Sequence, residues 1–433
     1  MTCSGGRTLR RLAVGAATLL IGLSAASCSG DDPARATGAS LDSVDRSTVA
    51  GTDDPTQIPN DEASPGASPP VADTSRADPS ASDTTPASDP APASAIPDPV
   101  TLAFGGDILL HMPVNDRARQ YGDASGRAFD FSPMLAPLAP VLDLADVALC
   151  HLEVPVAPDG RLTSYPSFGG PSEIADGLAG AGYEGCSTAS NHSLDRGYPG
   201  VIATLEQLDR VGLRHAGTAR GPWETGPGLY RVGDVDIAHL SYSYGFNGYR
   251  LPADAPWAAA QIDVDRIRRE TADARRSGAE LVVVSLHWGT EYRHEPDSFQ
   301  RDVADSLLPS SDIDLLIGHH AHVVQPIELI DGTYVVWGLG NQLSNQSQAP
   351  RRDGLTVLAT AELGWDLRWR FRQIEAVPTW VDMATHRVIP VPYALRNPGT
   401  PPGLRGELQG SYDRTKAIID SRPTWGVTIP SPN

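Results

Sequence analysis

From about position 100 onward, the sequence alternates short apolar runs with longer amphipathic stretches. The apolar runs have the length of buried strands and lie at residues 100–107, 146–153, 185–192, 235–243, 281–289, 313–322 and 334–341. Between several of them, apolar residues recur at helical spacing, at residues 200–212, 263–278 and 299–311. Strands that alternate with helices predict crossover connections, in which helices cover the faces of a sheet.

Two later segments, residues 355–363 and 367–381, follow each other without a helical pattern between them and predict antiparallel strands. The sequence therefore predicts an α/β protein of the α+β sandwich type, with mixed β-sheets flanked by helices. After about Pro392 the chain becomes rich in glycine and proline. We therefore place a folded domain at residues 99–392 and a C-terminal extension at residues 393–433.

The first 28 residues have the pattern of an export signal. Three arginines precede an apolar segment, and small residues then lead to Cys28, which predicts a secretory signal and not a membrane span. The ending "AASC" resembles a bacterial lipobox, in which Cys28 becomes the lipidated first residue; an ordinary signal peptide cut near Ala26 is the alternative. The predicted location is the outer face of the cytoplasmic membrane, held there by a lipid anchor, or outside the cell after secretion.

Residues 29–98 differ in composition from the rest of the chain. Ala, Ser, Pro, Asp and Thr dominate, and few large apolar side chains are present to offset the entropy of ordering, so we predict a disordered linker. Thirteen acidic residues against three arginines place about ten of the nineteen net negative charges in this segment. The overall acidity thus says little about a substrate, although it argues against nucleic-acid binding.

Cysteine and lysine are scarce beyond the export signal. Cys150 and Cys186 both lie in predicted strands, which is compatible with a disulfide across neighbouring strands and with two buried free thiols, the commoner state. Lys416 is the only lysine and lies in no G-x-x-x-x-G-K pattern. P-loop and lysine Schiff-base chemistry are therefore excluded.

Side chains that can bind metals recur at the carboxyl ends of the predicted strands. They follow five of the apolar runs, as Asp107, Glu153, Asn191 with His192, His287, and the cluster His319, His320 and His322. The turn "GLGN" at residues 338–341 adds a sixth strand end. In sheets with crossover helices, ligand sites form at the carboxyl ends of the strands, so we expect these side chains to converge.

The residue types suit a divalent metal ion. Carboxylate, amide and imidazole donors without thiolates favour manganese, iron or zinc and argue against a structural zinc finger. A bridging carboxylate between two sets of such donors would serve two ions about 3.5–4 Å apart, which activate water and hold an ester for hydrolysis. Each residue has an ordinary alternative, such as a core histidine for His287 or a turn cap for Asp107. Buried together without an ion, however, five or six such groups would be costly.

Six motifs are similar in order and spacing to those of the CapA family, named for poly-γ-glutamate capsule synthesis. They are "GGDILLH", "DVALCHLE", "STASNHSLDRG", "SLHWGTEY", "IGHHAHVVQPIE" and "GLGN", and they span roughly residues 100–345. That family looks like a branch of the calcineurin-like metallophosphatases. The resemblance implies a metallophosphatase-like fold, one or two divalent metal ions, and partners among capsule synthesis and export proteins.

The resemblance also implies roles for individual residues. The metal ligands would be Asp107, Glu153 as the bridging carboxylate, Asn191, His287, and a pair from the histidine cluster. His320 and His322 keep the spacing of a "GHxH" ending and are the preferred pair, while His319 directly follows glycine and is an alternate.

Five further residues have expected roles around the metal, and the resemblance implies the first of them. His192 matches the histidine that donates a proton to the leaving group in metallophosphatases, and Asp195 would orient it. Glu291 would orient His287, although Asp195 and Glu291 could equally be loop residues that make ordinary caps. Trp288 and Tyr292 would either stack on substrate or pack the loop.

The sequence departs from the metallophosphatase pattern at three places. Leu109 stands where an Asp-x-His motif has its histidine, a trait shared with the CapA branch. His151 replaces the asparagine usual before Leu-Glu, and would either restore a metal ligand or orient Glu153 from outside the ligand set. The last motif continues as "GLGNQLSN", without the usual aromatic residue after the asparagine, which predicts an altered pocket edge.

Two functions of different classes follow. The first is an extracytoplasmic, lipid-tethered, metal-dependent hydrolase that acts on a phosphoester or amide substrate in capsule or surface-polymer biosynthesis. The second is a non-catalytic accessory lipoprotein that uses a metal-ordered cleft to bind an anionic surface polymer during export. The sequence leaves open which of the two holds, and it does not give the substrate, the metal or the oligomeric state.

Overall fold

The computed structural model describes residues 97–309 and 312–433. The predicted export signal, the lipidation site at Cys28 and nearly all of the predicted linker lie outside the described residues. All described residues belong to one compact unit, Ala87–Asn433. None of the helices in these two ranges is long and apolar enough to cross a lipid bilayer.

The described residues contain strands and helices throughout their length. The strands are β1 (Val100–Ile108), β2 (Val147–Leu152), β3 (Gly185–Ser187), β4 (Arg214–Ala216), β5 (Gly228–Val232), β6 (Val235–Ser243), β7 (Leu281–His287), β8 (Leu315–His319), β9 (Ile327–Ile330), β10 (Thr333–Val336), β11 (Asn341–Leu343), β12 (Asp353–Leu363), β13 (Trp369–Val381), β14 (Val388–Pro390) and β15 (Val427–Thr428). The helices are α1 (Met112–Ser125), α2 (Ser132–Leu135), α3 (Ala139–Leu142), α4 (Ile174–Ala181), α5 (Gly197–Arg210), α6 (Val264–Arg276), α7 (Ser298–Leu307), α8 (Ala349–Arg352), α9 (Val391–Arg396) and α10 (Pro402–Asp420).

The strands form two mixed sheets. The larger sheet has the order β14-β13-β12-β1-β2-β3-β4, with β11 also paired to β1 and β15 to β13. The smaller sheet has the order β5-β6-β7-β8-β10-β9. Strands β1 to β4 run parallel, as do β6, β7, β8 and β10, whereas β12 and β13 are antiparallel. The predicted class, mixed sheets flanked by helices, is confirmed.

Alternation of side chains along β1 shows why the two sheets pack face to face. Leu102 and Phe104 lie in an apolar core that also contains Val283 and Ile317 of the smaller sheet. Ala103, on the opposite face of β1, lies in a second core with α1, α4 and α5. A third core separates the smaller sheet from α6 and α7. Helices therefore cover the outer face of each sheet.

Two predicted strands are shorter or divided in the structure. The strand predicted at residues 185–192 ends at Ser187, and its remainder forms a loop. The strand predicted at residues 334–341 is divided, because β10 belongs to the smaller sheet and β11 to the larger one. Gly340, with a φ of +67°, lies at the crossing between them.

The segment after residue 392 packs on the larger sheet. Leu408 and Tyr412 of α10 share an apolar cluster with Trp380 of β13. Arg414 donates to Asp353 at 2.7 Å. The domain boundary at residue 392 stays a prediction, although the described residues beyond it contribute β15 to the larger sheet.

Cys150 and Cys186 are joined by a disulfide. They are register partners on the parallel strands β2 and β3, with their Cα atoms 4.4 Å apart. The commoner state, two free thiols, is therefore not the one in the structure. The pairing of β2 with β3 places both side chains side by side, which the sequence pattern alone does not reveal.

Candidate metal centre

The carboxyl ends of strands from both sheets meet at one rim. Asp107 and His151 are register partners on β1 and β2, and His287 and His319 are partners on β7 and β8. Glu153 follows β2 directly, and its side chain is fully buried. The structure thus brings the predicted strand-end residues together between the two sheets.

The "GGD" sequence allows β11 to approach β1 closely. A side chain at Gly106 would overlap the carbonyl of Gly340, and the backbone N–H of Asp107 donates to that carbonyl at 2.9 Å. Glycine is needed here because two backbones approach each other. As a result Asn341 lies at the centre, where its Oδ1 is 3.1 Å from Nδ1 of His322.

The loop after β8 folds around the carboxylate of Asp107. His320 and His322 have φ values of +86° and +54°, a region that residues other than glycine rarely adopt. The backbone N–H of His320 donates to Asp107 Oδ2 at 3.1 Å, and Nδ1 of His322 lies 3.1 Å from the same oxygen. Such conformations cost on the order of 1–3 kcal/mol each and persist where the surroundings impose them, often at functional sites.

Six side chains form two adjacent groups of potential metal ligands. One group is Asp107, His151 and His287, and the other is Glu153, His320 and His322; within each group the donor atoms lie within 4.8 Å of one another. The groups are adjacent, because Nδ1 of His322 is 3.1 Å from Asp107 Oδ2 while its Nε2 is 3.6 Å from Glu153 Oε1. This arrangement offers two neighbouring positions for a cation.

Five buried donor atoms at this centre have no hydrogen-bond partner among the described residues. They are Oδ1 of Asp107, both carboxylate oxygens of Glu153, Nδ1 of His319 and Nδ1 of His320. His319 Nδ1 lies 3.3 Å from Asp107 Oδ1, but without hydrogen-bond geometry. A buried unpaired polar group costs about 1–3 kcal/mol, and more when it is charged. Carboxylate and imidazole donors that lack partners fit a divalent ion such as manganese, iron or zinc.

Burial and mutual repulsion perturb the ionisation of these groups. Burial raises the pKa of Glu153 well above its usual value, an effect that the nearby His322 only partly offsets. Burial alone would also raise the pKa of Asp107, but the adjacent imidazoles of His319 and His322 hold it below its usual range. Burial alone would lower the pKa of His322, whereas the carboxylates of Glu153 and Asp107 raise it to about 9. In the absence of a metal, His322 therefore supplies the positive charge.

A chain of hydrogen bonds fixes the orientation of His287. Its Nε2 lies 2.8 Å from Asn191 Oδ1, and its Nδ1 lies 2.9 Å from Nε2 of His151. Nδ1 of His151 is in turn 2.7 Å from the hydroxyl of Ser187. If Nε2 of His287 binds a metal, its Nδ1–H donates a hydrogen bond to Nε2 of His151. The Nδ1–H of His151 then donates to the hydroxyl of Ser187. His151 thus contacts His287 and not Glu153, and both of its nitrogens are engaged.

His192 and Asp195 form a buried pair beside the metal centre. Nδ1 of His192 lies 2.7 Å from Asp195 Oδ2, which also accepts the backbone N–H of Phe168 at 2.7 Å. The ring of Phe168 packs edge-on against His192, with 4.8 Å between centroids. The carboxylate therefore holds the imidazole by Nδ1, and no described residue bonds its Nε2. The predicted association of Asp195 with His192 is present in the geometry.

For two residues of the loop after β7, the structure decides between the alternatives that the sequence leaves open. Glu291 does not bond His287, because Asn191 and His151 occupy both ring nitrogens. Trp288 is fully buried, stacks on Trp337 at 5.6 Å and donates its indole N–H to the carbonyl of that residue at 3.1 Å. Trp288 packs the core and cannot contact a substrate.

Two residues at this rim, Tyr244 and Asn247, are not predicted from the sequence. Tyr244 follows β6, and its ring lies 4.7 Å from that of His320. Asn247 has a φ of +47°. Its Oδ1 accepts a hydrogen bond from Nδ2 of Asn191 at 3.2 Å, and its Nδ2 lies 3.3 Å from Nδ1 of His192. Tyr244 directly follows a strand, so the rule that ligand sites form at the carboxyl ends of strands could have identified it. No feature of the sequence distinguishes Asn247 from an ordinary loop residue.

Together, the fold and the centre define a two-sheet α/β protein with a candidate metal site of the carboxylate–histidine type. The family model for "Bacterial capsule synthesis protein PGA_cap" matches residues 101–346, and the chain belongs to this family. The resemblance to the CapA family is thus confirmed.

Curated relatives agree with this assignment. The PGA biosynthesis protein CapA of Bacillus subtilis is 26% identical, over 60% of this chain and 67% of that protein. The capsule biosynthesis protein CapA of Bacillus anthracis is 22% identical, over 60% of this chain and 63% of that protein. A Mycobacterium tuberculosis protein named "Probable polyglutamine synthesis accessory protein" is 26% identical, over 57% of this chain and 74% of its own length. The match thus spans about two thirds of the two Bacillus relatives.

Two solved structures are similar to this chain at low identity. A putative 5'-nucleotidase from Staphylococcus aureus has a TM-score of 0.44 and 13% identity, over 73% of this chain and 58% of that one. A calcineurin-like phosphoesterase from Bacillus subtilis has a TM-score of 0.42 and 12% identity, over 74% of this chain and 99% of that one.

Proposed function

We propose that this protein is an exported, lipid-anchored, metal-dependent hydrolase that cleaves a phosphoester or amide bond during the synthesis of a capsule-type surface polymer. The observation that carries the proposal is the set of five unpaired, buried donor atoms beside the His192–Asp195 pair. Hydrolysis of such a bond can be catalysed by a metal centre that activates water together with an adjacent group that transfers a proton.

The residues that would hold the metal come from both sheets. They are Asp107, Glu153, Asn191, His287, His320 and His322, with His319 and His151 as alternates. A divalent ion bound there would activate water and polarise the bond to be cleaved. Manganese, iron and zinc all suit this donor set.

The chain's own residues would orient the reaction and move a proton. His192, held at Nδ1 by Asp195, would use Nε2 to protonate the departing group. His151 and Ser187 would keep Nε2 of His287 directed at Asn191 and the centre, because they fix its other nitrogen. The rim residues Tyr244 and Asn247 would limit access of water.

A second candidate is the accessory role, in which the same centre orders a cleft that binds an anionic polymer without cleaving it. Leu109 favours this alternative, because it is an apolar core residue at the position where an Asp-x-His motif would supply a histidine. The name of the Mycobacterium tuberculosis relative also describes an accessory protein.

The proposed location is the outer face of the cytoplasmic membrane. Support comes from the export-signal pattern of residues 1–28 and from the "AASC" ending at Cys28. Radiolabelled palmitate fed to cells that express the protein tests this: label should enter wild-type protein and not a Cys28→Ser variant.

Turnover separates the two candidate functions. Purified protein loaded with Mn²⁺ would be assayed with phosphoesters and with γ-glutamyl peptides, beside an Asp107→Ala variant. Hydrolysis that requires Asp107 supports the enzyme. Bound metal without any turnover favours the accessory role, and a wild-type protein that binds no metal removes both.

A further inference from the structure

Arg351, at the rim of the metal centre, is a half-buried cation without an ion pair in the described part of the chain. Its neighbour Arg352 differs, because it pairs with Glu407 at 3.8 Å and donates to the carbonyl of Val381 at 3.1 Å. Both guanidinium groups lie over an aromatic ring, with Cζ of Arg351 3.4 Å from the centroid of Tyr292 and Cζ of Arg352 3.9 Å from that of Trp380, but only Arg352 also has an ion pair. A cation in this situation keeps its hydrogen-bond donors available for a ligand.

Tyr292 holds the guanidinium next to the metal ligands. Its ring centroid is 6.1 Å from that of His322. Its backbone has a φ of +64°, and its N–H donates to the carbonyl of Ala321 at 2.7 Å, between His320 and His322. A tyrosine in this conformation is an outlier that its surroundings must impose. The loop that carries Tyr292 is therefore tied to the loop that carries the histidines.

A second connection fixes the backbone of Arg351. The amide of Asn341 donates to the Arg351 carbonyl at 2.8 Å, and Oδ1 of the same side chain lies 3.1 Å from Nδ1 of His322. Both the backbone and the side chain of Arg351 are thus linked to His322 through one intervening residue. An arginine side chain that is already held in place loses less conformational entropy when a ligand binds, so the ligand binds more tightly.

The carboxyl groups around the centre explain why an anionic ligand would need this arginine. Asp107, Glu153, Asp195 and the exposed Glu291 are four carboxyl groups around the centre, and those that are ionised repel an anionic ligand. A substrate with an oxyanion near the cleaved bond therefore needs a cation from the protein as well as any from the metal.

We infer that Arg351 is a specificity-determining residue that binds an oxyanion of the substrate, a carboxylate or a phosphate, beside the metal centre. The planar guanidinium matches either group through two parallel hydrogen bonds. Tyr292 positions the arginine, because the guanidinium packs on one face of its ring. That the bound anion belongs to a substrate rests on the proposed function, whereas the presence of an anion site at Arg351 does not.

Calorimetric titration tests the inference with two probes, inorganic phosphate and the dicarboxylate glutarate. The wild-type protein with Mn²⁺ should bind at least one of them, and the stronger probe identifies the source of the oxyanion. Arg351→Gln should weaken that binding by about 10- to 100-fold, as expected for charge-assisted hydrogen bonds. Arg352→Gln removes the same charge from the same helix and should change it less than about twofold.

Two more variants keep the test decisive. Arg351→Lys retains the charge without the planar fork and should bind the probe with intermediate affinity, which covers the case in which Arg351→Gln does not fold. Glu291→Gln removes a repelling charge and should strengthen binding severalfold.

Failure to bind either probe, or equal affinity in wild type and both Arg351 variants, overturns the inference. Manganese content, measured by mass spectrometry on the same samples, reports on the proposed function separately. If wild type lacks manganese, the comparison of Arg351 variants in metal-free protein still decides whether the anion site exists.

Discussion

Two clusters of histidine and carboxylate in this protein have similar compositions but differ in burial and in the pairing of their polar atoms. The surface cluster of Asp209, His215 and Glu224 also has donor atoms within 4.8 Å of one another. Arg220 lies inside it, 2.7 Å from Asp209 and bonded through Nε to Glu224 at 3.0 Å. The arginine is thus the cation of this cluster.

The central cluster contains no arginine, and in the metal-free protein its positive charge is that of His322. Its two carboxylates, Asp107 and Glu153, are fully buried, and no described arginine or lysine forms an ion pair with either. Five of its donor atoms lack partners, whereas none of the ligand atoms of the surface cluster is buried and unpaired. Composition and proximity therefore do not identify a metal site by themselves. Burial of several ligand atoms that lack hydrogen-bond partners is what distinguishes the candidate metal centre.

The largest expected effect comes from removing one carboxylate of each cluster. Asp107→Ala should weaken binding of Mn²⁺ by more than about 100-fold and abolish turnover, because loss of a ligand exceeds the 10- to 100-fold effect of an outer partner. Asp209→Ala is the matched control and should leave metal content unchanged. Metal analysis of both purified variants makes the comparison, and equal metal contents would refute the distinction between the clusters.

Removing the proton donor should act on turnover and not on metal binding. His192→Gln should reduce kcat by roughly 10²- to 10⁴-fold, the usual contribution of a general acid, with manganese content unchanged. Steady-state assays beside metal analysis measure this. A variant that keeps full turnover would show that His192 is only a structural partner of Asp195.

Loss of the residue that orients His287 should have an intermediate effect. His151→Asn should weaken metal binding by about 10- to 100-fold, because Nδ1 of His287 loses its partner. His215→Asn, the same substitution in the surface cluster, should leave the affinity for Mn²⁺ unchanged when metal is titrated into the protein. A larger loss at position 151, equal to that of Asp107→Ala, would instead make His151 a ligand.

Metal affinity should rise with pH. In metal-free protein the pKa of His322 is raised to about 9 by Glu153 and Asp107, and burial raises the pKa of Glu153, so a metal must displace protons. Affinity should increase by about tenfold per pH unit for each displaced proton between pH 6 and 9.

The same shifts predict the stability of the metal-free protein. Because the pKa of His322 exceeds its unfolded value of 6.5, its stabilising contribution is complete below pH 6.5 and is lost as pH rises through about 9. The gain in Tm on adding Mn²⁺ should therefore be larger at pH 8 than at pH 6. A gain that shrinks with rising pH would contradict the charge balance described for the centre.

The smallest expected effect is the conversion of the surface cluster into a weak metal site. Arg220→Gln removes its internal cation and leaves Asp209, His215 and Glu224 uncompensated. Zn²⁺ should then bind with low affinity, because these groups are partly exposed and can be solvated instead. Calorimetry with Zn²⁺ on the Asp107→Ala background isolates this site. No binding at all would mean that proximity and charge are insufficient there.

The sequence predicts the centre well where strands determine it. Apolar runs mark buried parallel strands, and the residues that follow them, such as Asp107 and His287, necessarily share one rim of the fold. The family resemblance adds the pairing of His192 with Asp195. The assignment of ligands within the histidine cluster stays a prediction.

Features that depend on contacts between the sheets or between loops are not visible in the sequence. The bond from His151 to His287 crosses from one sheet to the other, so the pattern of a single strand cannot reveal it. Trp288 and Tyr292 lie in one motif, yet the first is buried against Trp337 and the second supports Arg351. Only the fold of the loop decides which of these aromatic rings reaches the rim.

Anomalous X-ray diffraction at the manganese absorption edge, on crystals grown with Mn²⁺, tests the central claim most directly. We expect one or two anomalous peaks bounded by Asp107, Glu153, His287 and His322, and none at the cluster around Arg220. Crystals without a peak among these four side chains, or with a peak only beside Asp209, would contradict the account.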